Sequence, residues 1–292
     1  MKRARALPAA DPAARGRQAF LWACALDVQV RKPGNVSLAS PGHRMDAAQF
    51  IAAATAAAGP ISSAGAPVGE RIEGAVRAAW EATQCNTNLG IVLLCAPLLA
   101  ACERPGSAKD APALRAALEA VLRSLAVADT RAAYRAIALA RPAGLGRAPE
   151  QDVFEAPTVG LREAMALAAG RDRIAWQYVH AHADVFDLGL PAFLVAPEAA
   201  PAMQRAFLEL LAGRPDSHIV RKHGDAVAQS VMREAAPWRA RARQGHVLDE
   251  DPAFAGWDRD LKEKGINPGT TADLCVAVAL AAAFLDPASR FP

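Results

Sequence analysis

The stretch Arg31-Lys32-Pro33-Gly34-Asn35-Val36-Ser37, followed by His43-Arg44-Met45-Asp46, gathers an ammonium, an amide, a hydroxyl, an imidazole and a carboxyl between two helical segments. Pro33 fixes φ and removes a donor, and Gly34 lets the backbone turn or approach a ligand closely. Lys32, Asn35 and Ser37 are the groups such a loop would offer to phosphate. The same residues also serve as an ordinary helix terminus with an Asn/Ser turn.

Four further segments carry chemistry. In Ala183-Asp184-Val185-Phe186-Asp187, read as helix, Asp184 and Asp187 share a face, and Gln177 and His180 extend that stripe. Two carboxylates this close repel unless a cation or proton lies between them. Mg²⁺ takes one or two carboxylates plus phosphate oxygens, so the pair suits it, although most such pairs are solvated helix ends. Asn86-Thr87-Asn88 stands before an apolar helix whose free N–H groups favour an anion, and the same residues suffice as a cap. Asp216–Gly224 contains Arg221-Lys222, a pair for phosphate or simply a helix end. Asn267-Pro268-Gly269-Thr270-Thr271-Ala272-Asp273 repeats the layout of a small polar loop leading into an apolar helix. Several such loops suit an anionic, polyphosphate-bearing ligand enclosed by helices. Neither GxxxxGK[ST], GxGxxG before a strand, a serine-nucleophile elbow nor HExxH occurs.

Composition narrows the classes. With 292 residues, 52% hydrophobic and 22% charged, the chain can bury a sizeable core and is globular and soluble. A net charge of +3 without dense Lys/Arg runs, and only 5% aromatics, argue against nucleic acid as a partner. The apolar runs Ile91–Ala101 and Leu274–Leu285 fall short of the ~20 residues a membrane span needs. Five scattered cysteines (Cys24, Cys85, Cys95, Cys102, Cys275) form no CxxC pair and indicate reduced thiols in the cytoplasm. The basic start Met1–Arg5 resembles a signal peptide, but Pro8, Asp11, Pro12, Arg15 and Arg17 interrupt any apolar region. The sequence leaves the oligomeric state open.

The elements that must position these groups are helices. Asp11-Pro12 opens one that runs to about Val30, and Asp46 can cap Ala47–Ala58, which stops at Gly59-Pro60. The pattern then predicts Glu70–Thr83, Leu89–Cys102, Ala111–Ala126, Thr130–Ala140, Val159–Ala169, Arg171–Phe186 and Ala200–Ala212. Asp225–Ala235, Pro237–Gly245, Pro252–Lys264 and Thr271–Leu285 complete the set. No alternating strand run or internal repeat occurs. The expectation is an all-α fold: a flexible N-terminus over 1–10 and a single bundle-like domain over 11–292. The irregular stretch 141–157 is its longest loop, an interdomain linker or an active-site loop.

Lys32-Pro33-Gly34-Asn35-Val36, His43-Arg44-Met45-Asp46, Asn86-Thr87-Asn88-Leu89-Gly90, Asp184-Val185-Phe186-Asp187 and Asn267–Asp273 stand in one order from about Phe20 to Leu285. Together they resemble the triphosphoribosyl-dephospho-CoA synthase family. The resemblance implies an all-α transferase of ATP and 3′-dephospho-CoA. It would make 2′-(5″-triphosphoribosyl)-3′-dephospho-CoA and adenine for prosthetic-group biosynthesis, with Mg²⁺ as cofactor. It further implies phosphate binding by Lys32, Arg221 and Lys222, and Mg²⁺ binding by Asp184, Asp187 and Asp273. Asn35, Ser37, Asn86, Thr87, Asn88, Asn267, Thr270 and Thr271 would hold substrate oxygens. Asp184, Asp187, His43 and Asp46 would be the catalytic set, with Asp273 in support.

One motif departs from the family pattern. Where that pattern reads Gly-Val-Asn-Thr-His-Lys-Gly, this chain has Cys85-Asn86-Thr87-Asn88-Leu89-Gly90. The departure opens other readings: a ribosyl transferase acting on another coenzyme precursor of one-carbon or pterin metabolism, an N-ribosyl hydrolase, or a helical nucleotide-binding protein without turnover.

Overall fold

A helix apolar on every side can be stable only inside a protein, and this chain has two. In the computed structural model, which describes residues 12–38, 40, 47–142 and 144–286, both lie at the centre. The chain runs through α1 (Pro12–Gln29), α2 (Ala47–Ile61), α3 (Val68–Thr83), α4 (Leu89–Cys102), α5 (Ala111–Arg123), α6 (Val127–Ala140) and α7 (Leu161–Ala168). It continues through α8 (Arg173–Val179), α9 (Leu190–Val195), α10 (Ala199–Gly213), α11 (Ser217–His223), α12 (Asp225–Arg243), α13 (Pro252–Glu263) and α14 (Gly269–Leu285). The fold is all-α, and no strand forms among the described residues beyond an isolated Ser37–Ser40 bridge. The apolar α4 and α14 pack against each other, α1 and α10 lean on α14, and α3 and α5 flank α4. One continuous core links them from Ala19 to Phe284.

Some boundaries differ from the sequence pattern, each for a packing reason. α2 does not stop at Gly59-Pro60 but reaches Ile61. Pro60 forfeits one N–H bond, yet it seats against Gly74 of α3, where an added Cβ would lie 3.1 Å from the proline Cβ. The helices predicted on either side of Pro237 are one, α12, whose buried Ala228, Val231 and Ala235 pack on α10. A short helix, α11, forms after Asp216, whose Oδ1 accepts the N–H groups of His218 and Ile219 at 2.8 and 3.0 Å. The proposed caps Asp11 and Asp46, and the N-terminal segment 1–10, lie outside the described residues.

The largest departure is at 171–186. The predicted single helix ends at Val179, and Ala181 and His182 take left-handed φ values of 47° and 50°. A wide i→i+5 turn over Val185–Gly189 follows and leads into α9. His182 is fully buried in this break, and neither ring nitrogen has a hydrogen-bond partner among the described residues. Burial alone holds its pKa down to about 3.

His182 makes the break acid-sensitive. In the unfolded chain a histidine protonates near pH 6.5, so the stability of the neutral buried ring is complete above that value. It is lost as pH falls from there towards 3. Between pH 7 and 5 this contribution falls by about 2 kcal/mol. His182→Asn tolerates the left-handed backbone and removes the titration. Urea unfolding at pH 7 and 5 is expected to show a smaller acid loss for the variant than for the wild type; equal losses would refute the assignment.

Candidate functional site

A cavity of about 430 Å³ opens where α4 and α14 begin. Asp27 from the end of α1, Asn35, Asn86, Thr87 and Gly90 line it together with Asn267, Thr270 and Asp273. Asp172, His218 and Arg221 add the starts of α8 and α11. The remaining wall is mainly apolar: Tyr134 and Ile137 of α6, Met165 and Ala168 of α7, and Leu145 and Val153 of the 141–157 stretch. That stretch is therefore cavity wall. The Tyr134 hydroxyl donates to the Gln151 carbonyl at 2.5 Å, and Asp152 accepts from the N–H groups of Ala148 and Phe154.

The motifs meet because backbone and side chains interlock. Gly34 has φ 82°, and a Cβ there would stand 2.8 Å from the Ile266 carbonyl oxygen and 2.9 Å from Pro268. Only glycine fits both the backbone and the space. The next residue, Asn35, donates from Nδ2 to Asn267 Oδ1 at 3.0 Å, joining the first motif to the last. Gly90, in the first turn of α4, brings a backbone against a carboxylate. A Cβ there would fall 2.0 Å from Asp273 Oδ2. Behind them Asp216 Oδ2 accepts from both the N–H and the hydroxyl of Thr271 at 2.7 Å, so one carboxylate ties the starts of α11 and α14. Ser217 Oγ and Thr270 Oγ1 lie 3.0 Å apart and close the same junction.

The two cavity carboxylates on α1 and α14 have different surroundings. Burial pushes the Asp27 carboxyl up, but the Lys32 ammonium 3.2 Å from Oδ1 opposes it. Asp273 is pushed well above the ordinary carboxylate range, chiefly by burial and then by the negative charges of Asp27, Asp216 and Asp172; Arg221 opposes this weakly. Thr87 Oγ1 is buried and has no hydrogen-bond partner among the described residues. A buried polar group without a partner costs about 1–3 kcal/mol, and a ligand oxygen would remove that cost. The arrangement can hold an anionic ligand by hydroxyls, amides and Arg221, with the Asp27 and Asp273 carboxyls lining the same cavity.

Of the residues expected from the sequence, Asn35, Asn86, Thr87, Asn267, Thr270, Asp273 and Arg221 line this one cavity. Lys32 does not reach it. It is fully buried, and its Nζ is held by the Asp27 carboxylate and main-chain carbonyl and by the Val30 carbonyl at 3.5 Å, so its effect is on Asp27. Thr271 bonds Asp216, Ser37 and Asn88 are buried beside the wall, and Lys222 is exposed; none of these lines the cavity. His43 and Asp46 lie outside the described residues.

Asp184 and Asp187 do not form the shared face read from the sequence. The wide turn after His182 removes the i,i+3 alignment. Asp184 is gripped by Arg173 at 2.5 Å through both oxygens and by Gln177 at 2.7 Å. Asp187 is 56% exposed and pairs with Arg115 at 2.7 Å. Neither lines the cavity. Among the described residues no group of three His, Cys, Asp or Glu side chains is placed to hold a metal ion.

Asp27 and Asp172 escaped the sequence reading. Asp172 looks like the simple N-cap of α8 that it also is, accepting from Ile174 and Ala175 at 2.9 and 3.1 Å. The signal for Asp27 was an acid among apolar neighbours, Leu26 and Val28, five residues before a lysine.

None of the curated proteins compared with the chain matches it. Its fold resembles the crystal structure named for a triphosphoribosyl-dephospho-CoA synthase of Archaeoglobus fulgidus, with a TM-score of 0.63 and 20% identity. The match covers 81% of this chain and 99% of that one, a likeness of fold. No helix among the described residues is long and apolar enough to cross a membrane. The CitG family, ATP:dephospho-CoA triphosphoribosyl transferase, matches residues 13–291, nearly the full length of the cavity-forming chain, and the chain belongs to this family of transferases.

Proposed function

We propose that the cavity binds ATP and transfers its triphosphoribosyl group to the ribose 2′-hydroxyl of 3′-dephospho-CoA, releasing adenine. One observation carries the site reading: Asp27 and Asp273, from opposite ends of the chain, face one cavity lined by amide, hydroxyl and guanidinium donors. In the transfer the bond from ribose C1′ to adenine breaks and a bond from C1′ to the acceptor oxygen forms. The acceptor loses a proton and adenine takes one up. Positive charge develops on the ribose ring, and nearby carboxylates stabilise it, as in glycoside hydrolysis. Asp27, paired with Lys32, is the base for the acceptor hydroxyl. Thr87, Thr270, Asn35, Asn267 and Arg221 hold ribose and phosphate oxygens, and the apolar wall excludes water.

Mg²⁺ fits this donor set as a partner of the triphosphate. Asp172 and Asp273 both line the cavity, and Mg²⁺ is bound by one or two carboxylates plus substrate phosphates. These two residues would hold it, and it would neutralise phosphate charge. One observation favours a different coenzyme precursor as acceptor. Leu89 lines the cavity at the position where the family pattern has lysine, so a cation for an acceptor phosphate is missing there. We place the reaction in the cytoplasm, in keeping with five free cysteines.

Chromatography of ATP and Mg²⁺ incubations with and without 3′-dephospho-CoA tests the proposal. Adenine formed only with the acceptor supports transfer, adenine without it indicates hydrolysis, and none under either condition rejects this acceptor. Asp27→Asn is expected to lower the rate at least about 100-fold while ATP binding, read by calorimetry, persists. Lys32→Met removes the charge that opposes burial at Asp27, so the Asp27 pKa rises and the acidic limb of the pH–rate profile moves to higher pH. An unmoved limb would remove Asp27 from the role of base. Asp184→Asn breaks a buried ion pair and costs about 3 kcal/mol of stability. Its adenine release, measured where it remains folded, is expected to stay close to wild type; a collapse of turnover there would return Asp184 to the chemistry.

A further inference from the structure

We propose that Asp258, on α13 and outside the cavity, is a positioning residue for the Asn35–Asn267 bridge in the cavity wall. No side chain of α13 lines the cavity. Asp258 is nonetheless 1% exposed, and its Oδ1 accepts the Gly34 N–H at 2.9 Å, one residue before Asn35. Its charge is met by Lys262, one turn on, at 3.0 Å, and the same ammonium donates to the Ser40 carbonyl at 2.8 Å. The polar loop is thus held from behind at Gly34 and at Ser40 by two neighbouring side chains of one helix.

The other half of the bridge hangs on the same helix. At the C-terminus of α13 the Gly265 N–H bonds the Lys262 carbonyl at 3.0 Å and the Ile266 N–H bonds the Leu261 carbonyl at 2.8 Å. This ending, with Gly265 at φ 68°, is the left-handed stop usual for helices, and it hands the chain directly to Asn267. Gly34 sits on this turn without slack, since a Cβ there would be 3.1 Å from Leu261 Cβ as well as 2.8 Å from the Ile266 oxygen. Both partners of the bridge therefore take their positions from Asp258, Leu261 and Lys262. A displacement of about 1 Å in groups that orient a substrate can lower rates 10²-fold, which is how a residue outside the cavity acts on turnover.

The inference rests on the transferase reading, and a double-mutant cycle separates the two. Adenine release against ATP concentration is measured for wild type, Asp258→Ala, Asn35→Ala and the double variant. All are held at a temperature where circular dichroism shows each folded. Asp258→Ala is expected to lower kcat/KM for ATP about tenfold, and Asp258→Asn, which keeps an oxygen for the Gly34 N–H, to restore most of it. In the Asn35→Ala background the same substitution is expected to change kcat/KM by less than about twofold. Equal losses in both backgrounds, or no loss in folded Asp258→Ala, would overturn the positioning role. If wild type releases no adenine, the transferase reading fails, and calorimetric ATP affinities of the same four proteins decide the positioning. A wild type that neither turns over nor binds ATP would overturn both.

Discussion

Carboxylates inside an apolar helical core are the constraint on which this structure depends. An isolated buried charge is strongly unfavourable, so each must find a cation, a set of N–H donors or a proton. Asp27 finds Lys32, Asp258 finds Lys262 and the Gly34 N–H, Asp184 finds Arg173, and Asp216 finds the N–H groups that begin α11 and α14. Each solution joins segments distant in sequence or fixes a loop that would otherwise have alternatives.

Asp273 is the exception, and the exception makes the site. Among the described residues it forms no ion pair, and the charges of Asp27, Asp216 and Asp172 raise its pKa while Arg221 opposes them. Its place is the beginning of α4, where Gly90 leaves room for it. A carboxyl held this way accepts a proton or a cation readily, and it shares the cavity with Asp27, whose lysine favours the charged form. Unequal environments for two neighbouring carboxyls are how one fold supplies both acid and base character at one pH.

Legibility in the sequence followed the range of the interactions. The apolar runs of α4 and α14 and the all-α fold were plain, because helix pattern and burial are local properties of composition. The polar loops ahead of those helices were also legible as a set, and Asn35, Asn86, Thr87, Asn267, Thr270 and Asp273 do line one cavity. The pairing of Asp184 with Asp187 was not, because a left-handed break and a wide turn intervene and no residue there announces them. His182 carries φ 50° without being glycine, a conformation set by the packing around it. Pro60 and Pro237 misled in the same way: local propensity ends a helix at proline, and packing against α3 and α10 keeps it going.

Sequence by itself thus determined the helical class, the two buried central helices and the polar segments that precede them, since periodicity and capping chemistry act within a few residues. Only the tertiary structure decided which charges face the cavity. Lys32 turns inward because Asp27, in the last turn of α1, needs a counter-charge. Asp184 turns away because Arg173 and Gln177 satisfy it on the far side of α8. Asp258 and Lys262, distant in sequence from the loop they hold, enter the site only through a backbone N–H and a carbonyl. Such assignments depend on which partner satisfies each buried charge at least free energy, a property of the assembled core and of no single segment.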